Sequence, residues 1–435
     1  MNLRAILAPT ALLALAACGG PAPGDPHRQI GPNPFLPPIH QYLMPPMKVA
    51  KLVGWSGDRT PTVAAGLKIH ALAKDFKDPR SLYVLPNGDI LVVESDGPPA
   101  PVHRPKEFVM NWIEQKAHSA VKAGNRIVLL RDANGDGVPE LRTVFLDHLD
   151  HPFGVVLVGS DLYVANTGSV VRYPYQTGDT QITAPGVKLT DLPGGPIDHH
   201  WTKSLTASPD GTKLYAGVGS NSNITENGIG AELDRAAIWE IDRATGAHRL
   251  FATGLRNPNG LTFEPITHQL WAVVNERDEL GPDLVPDYMT SVKDGGFYGS
   301  PYSYWGQHLD PRVKPQRPDL VAKAIVPDYG LSSHVAPLGL AFYTGTDLPP
   351  QYRGGAFVGE HGSWDRTQLN GYKVVYVPFT GGRPSGMAQD VVTGFVGPEG
   401  KAYGRPVGLA VDSHGGLLIA DDAGNVVWRV TAAGG

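Results

Sequence analysis

Six times along the chain an apolar strand, a tight turn, a second apolar strand and a polar loop follow one another, and this repetition constrains the fold more than any other feature. The copies are SLYVLPNGDILVVES (81–95), FGVVLVGSDLYVANTG (153–168), SLTASPDGTKLYAGVG (204–219), GLTFEPITHQLWAVVN (260–275), GLAFYTGTDLPPQYRGGAFVGEHG (339–362) and GLAVDSHGGLLIADD (408–422). Asn87-Gly88 and Asp210-Gly211 are hairpin turns by composition, because the turns that match strand twist need residues tolerant of positive φ. Further strand-like runs fall at 126–130, 170–173, 237–241, 373–377 and 426–430. The copies recur every ~50–80 residues, too far apart for two-stranded units and suited to four-stranded blades with inserted loops.

The expected fold is therefore all-β: a six-bladed β-propeller with four-stranded blades and loop insertions. The first strand of each quoted pair lines the central channel. Loops before these strands, and loops after their partners, converge on it. Counts of 53 Gly and 40 Pro fit many turns rather than a helical bundle. Only 105–121 reads as helical, interrupting the first blade. A long insertion at 282–336 carries Phe297, Tyr298, Tyr302, Tyr304 and Trp305, and is expected to roof one face.

The N-terminus reads as an address. Arg4, the apolar run Ile6–Leu15 and then Leu15-Ala16-Ala17-Cys18 form a lipoprotein-type signal, with cleavage before Cys18 and lipid on its sulfur. Residues 1–17 are the expected signal, 18–62 a Pro/Gly-rich tether and wrapping arm, and 63–435 the catalytic propeller. The expected location is periplasmic and lipid-anchored, on the outer membrane, since Gly19 and Gly20 carry no acidic retention signal. Cys18 is the sole cysteine, so no disulfide forms within the chain. A net charge of −5 offers no general footprint for nucleic acid.

The motifs GLRNPNGL, NERDELGPDLVPDYMTSVKDGGFYGSPYSYWG, HVAPLGLAFY, FVGEHGSWDR, NGYKVVYVPF and RPVGLAVD are spread over nearly everything after the signal. Through them the chain resembles the pyrroloquinoline-quinone (PQQ)-dependent sugar dehydrogenases, in their sorbosone dehydrogenase-like branch. The resemblance implies PQQ and Ca2+ as cofactors and oxidation of an aldose or sugar aldehyde to the lactone or acid. It implies His200 as general base, with His199 one residue away as the other choice; Asp198 or His199 would orient it. Arg256 and Asn257 match the Arg-Asn-Pro motif at cofactor and substrate, with Arg256 also stabilising charge in the reaction. Asn275 corresponds to a position beside the cofactor. The backbone carbonyls of Glu276 and Arg277 take the place of calcium ligands, although related chains carry Gly-Pro there. His334, Arg405 and Asp421 match cofactor-contacting positions. A cofactor-binding lysine has no counterpart, and His361 or Arg366 is left to replace it, Arg366 having the required charge. Ser204 stands where an arginine is often found.

Apart from the resemblance, Asp132, Asn134, Asp136 and Glu140 alternate oxygen donors around glycines, like the opening of a calcium loop. The spacing is incomplete, and a plain Asp-Gly-rich turn explains it equally well. No Cys-x-x-Cys-His haem motif is present, so electrons would leave to an external acceptor, a cytochrome or a quinone. The other readings of such a propeller are a calcium-dependent lactonase, which needs carboxylates converging on a metal, and a non-catalytic ligand-binding propeller.

Overall fold

A computed structural model describes residues 24–42, 47–99 and 122–434. Six antiparallel sheets stand around a channel. Their innermost strands are Pro79–Val84, Gly154–Val158, Leu205–Ala207, Pro258–Phe263, Pro337–Phe342 and Pro406–Val411, in blades 1 to 6. All six line one cavity of about 400 Å³ along the axis. The expected six-bladed propeller is the fold. The helical reading of 105–121 and the signal segment lie outside the described residues.

The second strand of each blade is buried on both faces, because each blade is sandwiched between two others. Ile90–Glu94 and Leu270–Val274 are buried throughout. Continuous apolar runs rather than alternation follow from that two-sided burial. Among the described residues the buried apolar side chains fall into six clusters, one at each blade boundary. Outermost strands are more polar: Val187–Asp191 of blade 2 buries only Thr190.

The ring closes through the beginning of the described chain. Leu67–Ala73 pairs antiparallel with Val426–Ala432 and becomes the outermost strand of blade 6. Upstream, Ile30–Gly31 adds to the edge of blade 4 and Thr62–Val63 to the edge of blade 5. Trp55 packs edge-on to Trp428 and Phe395.

The insertion after the third strand of blade 4 does not roof the site. Gly296–Phe297 pairs with the outer strand of blade 3. Tyr298, Tyr304 and Trp305 are buried in the cluster between blades 3 and 4. Their apolar area is satisfied in that wall, and Asp310 reaches from the same segment to Arg277 at 2.6 Å. No described helix is long and apolar enough to cross a membrane.

Candidate active site

Chain direction gathers the chemistry on one face. Each inner strand begins at this face and each second strand ends there, so loops 198–204 and 219–223 of blade 3 meet loops 254–257 and 275–281 of blade 4. The corresponding loops of blades 5, 6 and 1 complete the rim.

His200 sits in this rim with its tautomer fixed. Ser220 Oγ donates to the carbonyl of Ser222 at 2.7 Å, so it has no proton for the imidazole. His200 Nδ1, 3.0 Å from both Ser220 O and Ser220 Oγ, must therefore donate. That leaves the Nε2 lone pair outward, where no described residue takes it. Burial, then the Arg256 charge and His199, push its pKa well below the ordinary histidine value. The ring is a neutral base with its accepting nitrogen open. Gly219 makes this possible: a Cβ there would come within 2.4 Å of His200 Cβ and 2.5 Å of Asn257 Oδ1.

Asp198 does not orient His200. It is fully buried between Lys203 Nζ at 3.1 Å and Arg235 Nη1 at 2.6 Å. Lys203 also donates to the carbonyl of Trp201 at 2.9 Å. The pair thus fixes the backbone that carries His200, while Ser220 orients its ring. His199 packs against His200, ring centroids 4.6 Å apart, and opens to solvent within the recess.

Arg256 is where the expectation changes most. Its Nε donates to Asn223 O (2.9 Å) and Nη1 to the carbonyls of Asn275 (3.2 Å) and Glu276 (2.7 Å). Nη2 donates to Asn223 Oδ1 (2.9 Å) and Asp278 Oδ2 (3.2 Å). A guanidinium has five N–H donors, and all five are used inside the protein. Arg256 holds the 275–278 loop and lends its charge to His200, but keeps no donor for a ligand. The same geometry bears on calcium. One of the two expected carbonyl ligands, Glu276 O, already faces a cation, and the Arg277 side chain is buried on Asp310. Glu276 O thus already accepts from a guanidinium, which competes with its use as a calcium ligand.

Other expected residues separate in the same way. Asn257 is buried, with Oδ1 unpartnered beside His200. Asn275 Nδ2 donates to Pro337 O at 2.6 Å, joining blades 4 and 5. His334 is buried against Asp278 at 3.1 Å and bonds Gly281 O through Nε2 at 3.2 Å. Burial opposes its charge, but Asp278 and Asp365 outweigh burial and hold its pKa up at about 9. Arg366 is buried, on Asp283 at 2.7 Å and Ser333 O at 3.4 Å, with its Nε unpartnered. Asp421 is fully buried and accepts from Trp55, Trp428, Arg405 N and Gly424 N. It anchors the arm and does not face the site. Asp132, Asp136 and Glu140 converge within 4.8 Å of one another, between the third and outer strands of blade 1 and apart from this rim. Their carboxylates accept from backbone N–H groups of the same turn.

Arg405 belongs to a cluster that motif reading missed. Its Nε and Nη2 donate to the carbonyls of His361 (3.0 Å) and Gly362 (2.8 Å), and Nη1 takes no described partner. His361 Nε2 lies 2.8 Å from Asp422, which Arg80 also grips. Burial and the Arg405 charge push His361 down to about 3, so the imidazole is neutral and Asp422 ionised. Arg80 keeps a buried, unpartnered Nε and lies 5.6 Å from the ring of Trp201, next to the base. Two guanidiniums that each keep a donor no described residue takes thus share this face with an open neutral imidazole. Such a set can hold an anion's oxygens and accept a proton. Arg80 lies at the start of the inner strand Pro79–Val84, in the stretch DPRSLYVLPNGDILVVES, and nothing there signals its role, because its partner Asp422 comes from far along the chain.

A family model described as TrAA12-like matches residues 61–287 and 319–433. The chain belongs to the TrAA12-like family. An uncharacterized protein of Borreliella burgdorferi (strain ATCC 35210 / DSM 4680 / CIP 102532 / B31) is 29% identical over 241 residues, 55% of this chain and 62% of that protein. The chain thus spans under two thirds of that relative. Among solved structures, this TrAA12-like chain is similar to the calcium structure of Trichoderma reesei Carbohydrate-Active Enzymes Family AA12 (TM-score 0.69, 20% identity, 86% of this chain and 97% of that one). It is similar to the holo form of the pyranose dehydrogenase PQQ domain from Coprinopsis cinerea (0.67, 19%, 88% and 100%). The PQQ-bound aldose sugar dehydrogenase of Streptomyces coelicolor follows (0.56, 15%, 86% and 99%). These likenesses share the TrAA12-like propeller.

Proposed function

We propose that this chain is a PQQ-dependent dehydrogenase that oxidises an aldose or a sugar aldehyde such as sorbosone to the lactone or acid. The observation that carries the reading is the fixed tautomer of His200, an open neutral base on the same face as two incompletely satisfied guanidiniums. Arg80 and Arg405 would hold the carboxylates of the cofactor, and Asn257 would offer its buried amide beside the base. When bound, the quinone supplies the hydride acceptor. His200 Nε2 takes the proton from the hydroxyl on the carbon that loses hydride. The oxidised carbon leaves as lactone from a cyclic sugar, or as acid from a hydrated aldehyde. Ser220 keeps the imidazole turned, Lys203 and Asp198 keep its loop in place, and the Arg256 charge disfavours its protonation before substrate arrives. No step is assigned to calcium, because Arg256 already takes the Glu276 carbonyl. The two electrons pass to an external cytochrome or quinone. We place the enzyme in the periplasm, tethered by lipid on Cys18.

The test is a titration of metal-free protein with PQQ, with and without Ca2+, followed by visible absorbance. Aldoses and sorbosone are then added in turn. Saturable binding and bleaching to the reduced form by one sugar is the expected result. Failure to bind, with hydrolysis of lactones in the absence of an electron acceptor, would select the lactonase.

A further inference from the structure

Away from the guanidiniums of blades 1 and 6, three side chains from two blades converge. Asp278 comes from the blade 4 loop, His334 from the turn before the inner strand of blade 5, and Asp365 from the loop after its second strand. One ligand-type atom from each lies within 4.8 Å of the others.

Two features separate this trio from an ordinary buried ion-pair network. First, Asp365 is 1% exposed, and while one oxygen accepts from Glu279 N at 2.9 Å, its Oδ1 is buried with no partner. An orphaned carboxylate oxygen in a dry site is costly unless a cation or donor completes it. Second, His334 donates Nε2–H to the carbonyl of Gly281, 3.2 Å away, which turns Nδ1 toward Asp278; the proton that Nδ1 shares with Asp278 in the metal-free chain leaves when an ion takes its place. Fixing one ring nitrogen on a backbone carbonyl so that the other points at the ion is the usual support of a metal-bound histidine. The backbone is committed to this placement, with His334 and Ala336 both at positive φ.

We infer that Asp278, His334 and Asp365 bind one divalent transition-metal ion through two carboxylates and an imidazole, in preference to Ca2+. One nitrogen and two oxygen donors suit zinc or a neighbouring first-row ion, whereas calcium takes oxygen ligands. Three protein ligands leave at least one position for water or a bound ligand. Arg256, already on Asp278 Oδ2, supports the carboxylate from behind. The site does not depend on the dehydrogenase reading, since it is assembled without any group of the cofactor.

The experiment uses the full chain, stripped with chelator and free of PQQ. Zn2+ is titrated calorimetrically, Co2+ is followed by its visible bands, and Ca2+ is added as competitor. One equivalent of Zn2+ is expected, not displaced by tenfold Ca2+, with Co2+ bands showing nitrogen and oxygen ligation. Asp365→Asn and His334→Gln should each weaken Zn2+ binding at least tenfold. Asp132→Asn, in the exposed turn of blade 1, should leave it unchanged. Because buried variants can fail to fold, the Co2+ spectrum of the unaltered chain decides independently. Absence of stoichiometric binding, ligation by oxygen alone, or loss of binding in Asp132→Asn instead would overturn the inference.

Discussion

At the scale of single residues, the site divides side chains that can act from side chains that are already engaged. His200 can act, and His200→Asn is expected to lower kcat about 10²–10⁴-fold while PQQ still binds, read by steady-state rates beside an absorbance titration. Its proton affinity is depressed by burial, by Arg256 and by His199. The base form therefore persists below the ordinary pKa of 6.5, and the acid limb of kcat/KM should lie under pH 6.5. A limb centred above that value would assign the base elsewhere. Arg256 is engaged. Arg256→Ala leaves three loop carbonyls and the Asp278 carboxylate without their partner, so it should cost about 3–5 kcal/mol in urea denaturation, over and above any loss of activity. The motif containing Arg256 was readable in the sequence, but its role was not: whether a guanidinium faces ligand or loop depends on carbonyls that fold beside it from 20 residues away. Asp421 and Asp422 make the same point within one dipeptide. Adjacent residues at the end of a strand point to opposite sides, so one anchors Trp55 and the other meets Arg80.

At the scale of elements, second strands were legible because burial on both faces leaves unbroken apolar runs, and inner strands because a turn joins each to its second strand. Outer strands were not. Val187–Asp191 exposes most of its residues and Leu67–Ala73 is largely half-buried, with Lys68 and His70 breaking its apolar run. The insertion in blade 4 was legible as aromatic but not as part of a wall, since its partner, the outer strand of blade 3, lies far back in sequence. The arm gives a direct test of an element's contribution. Trp55 packs on Phe395, Tyr403 and Trp428, and its Nε1 donates to Asp421 at 2.6 Å. Trp55→Ala should lower stability by about 3 kcal/mol, measured as a shifted urea midpoint at unchanged slope. An unaltered midpoint would mean that the arm is not seated in solution.

At the scale of the whole molecule, stability rests on closure. Blade 6 takes three strands from the end of the chain and its fourth, Leu67–Ala73, from near the beginning. Truncation to residue 66 should leave a single cooperative, less stable transition. Truncation to residue 74 should abolish cooperativity, because blade 6 is left with an unpaired edge and the ring is open. Circular dichroism during thermal unfolding distinguishes the two.

That same seam sets a timetable. Leu67–Ala73 leaves the ribosome early, yet the strand it must join is among the last to be made. Bringing the two together closes a loop of nearly the whole chain, at an entropic cost that grows only slowly with length but must be met before the contacts repay it. The ring therefore stays open until Val426–Ala432 has been made and has met Leu67–Ala73. Until that pairing forms, the polypeptide is an open thread of blades rather than a ring.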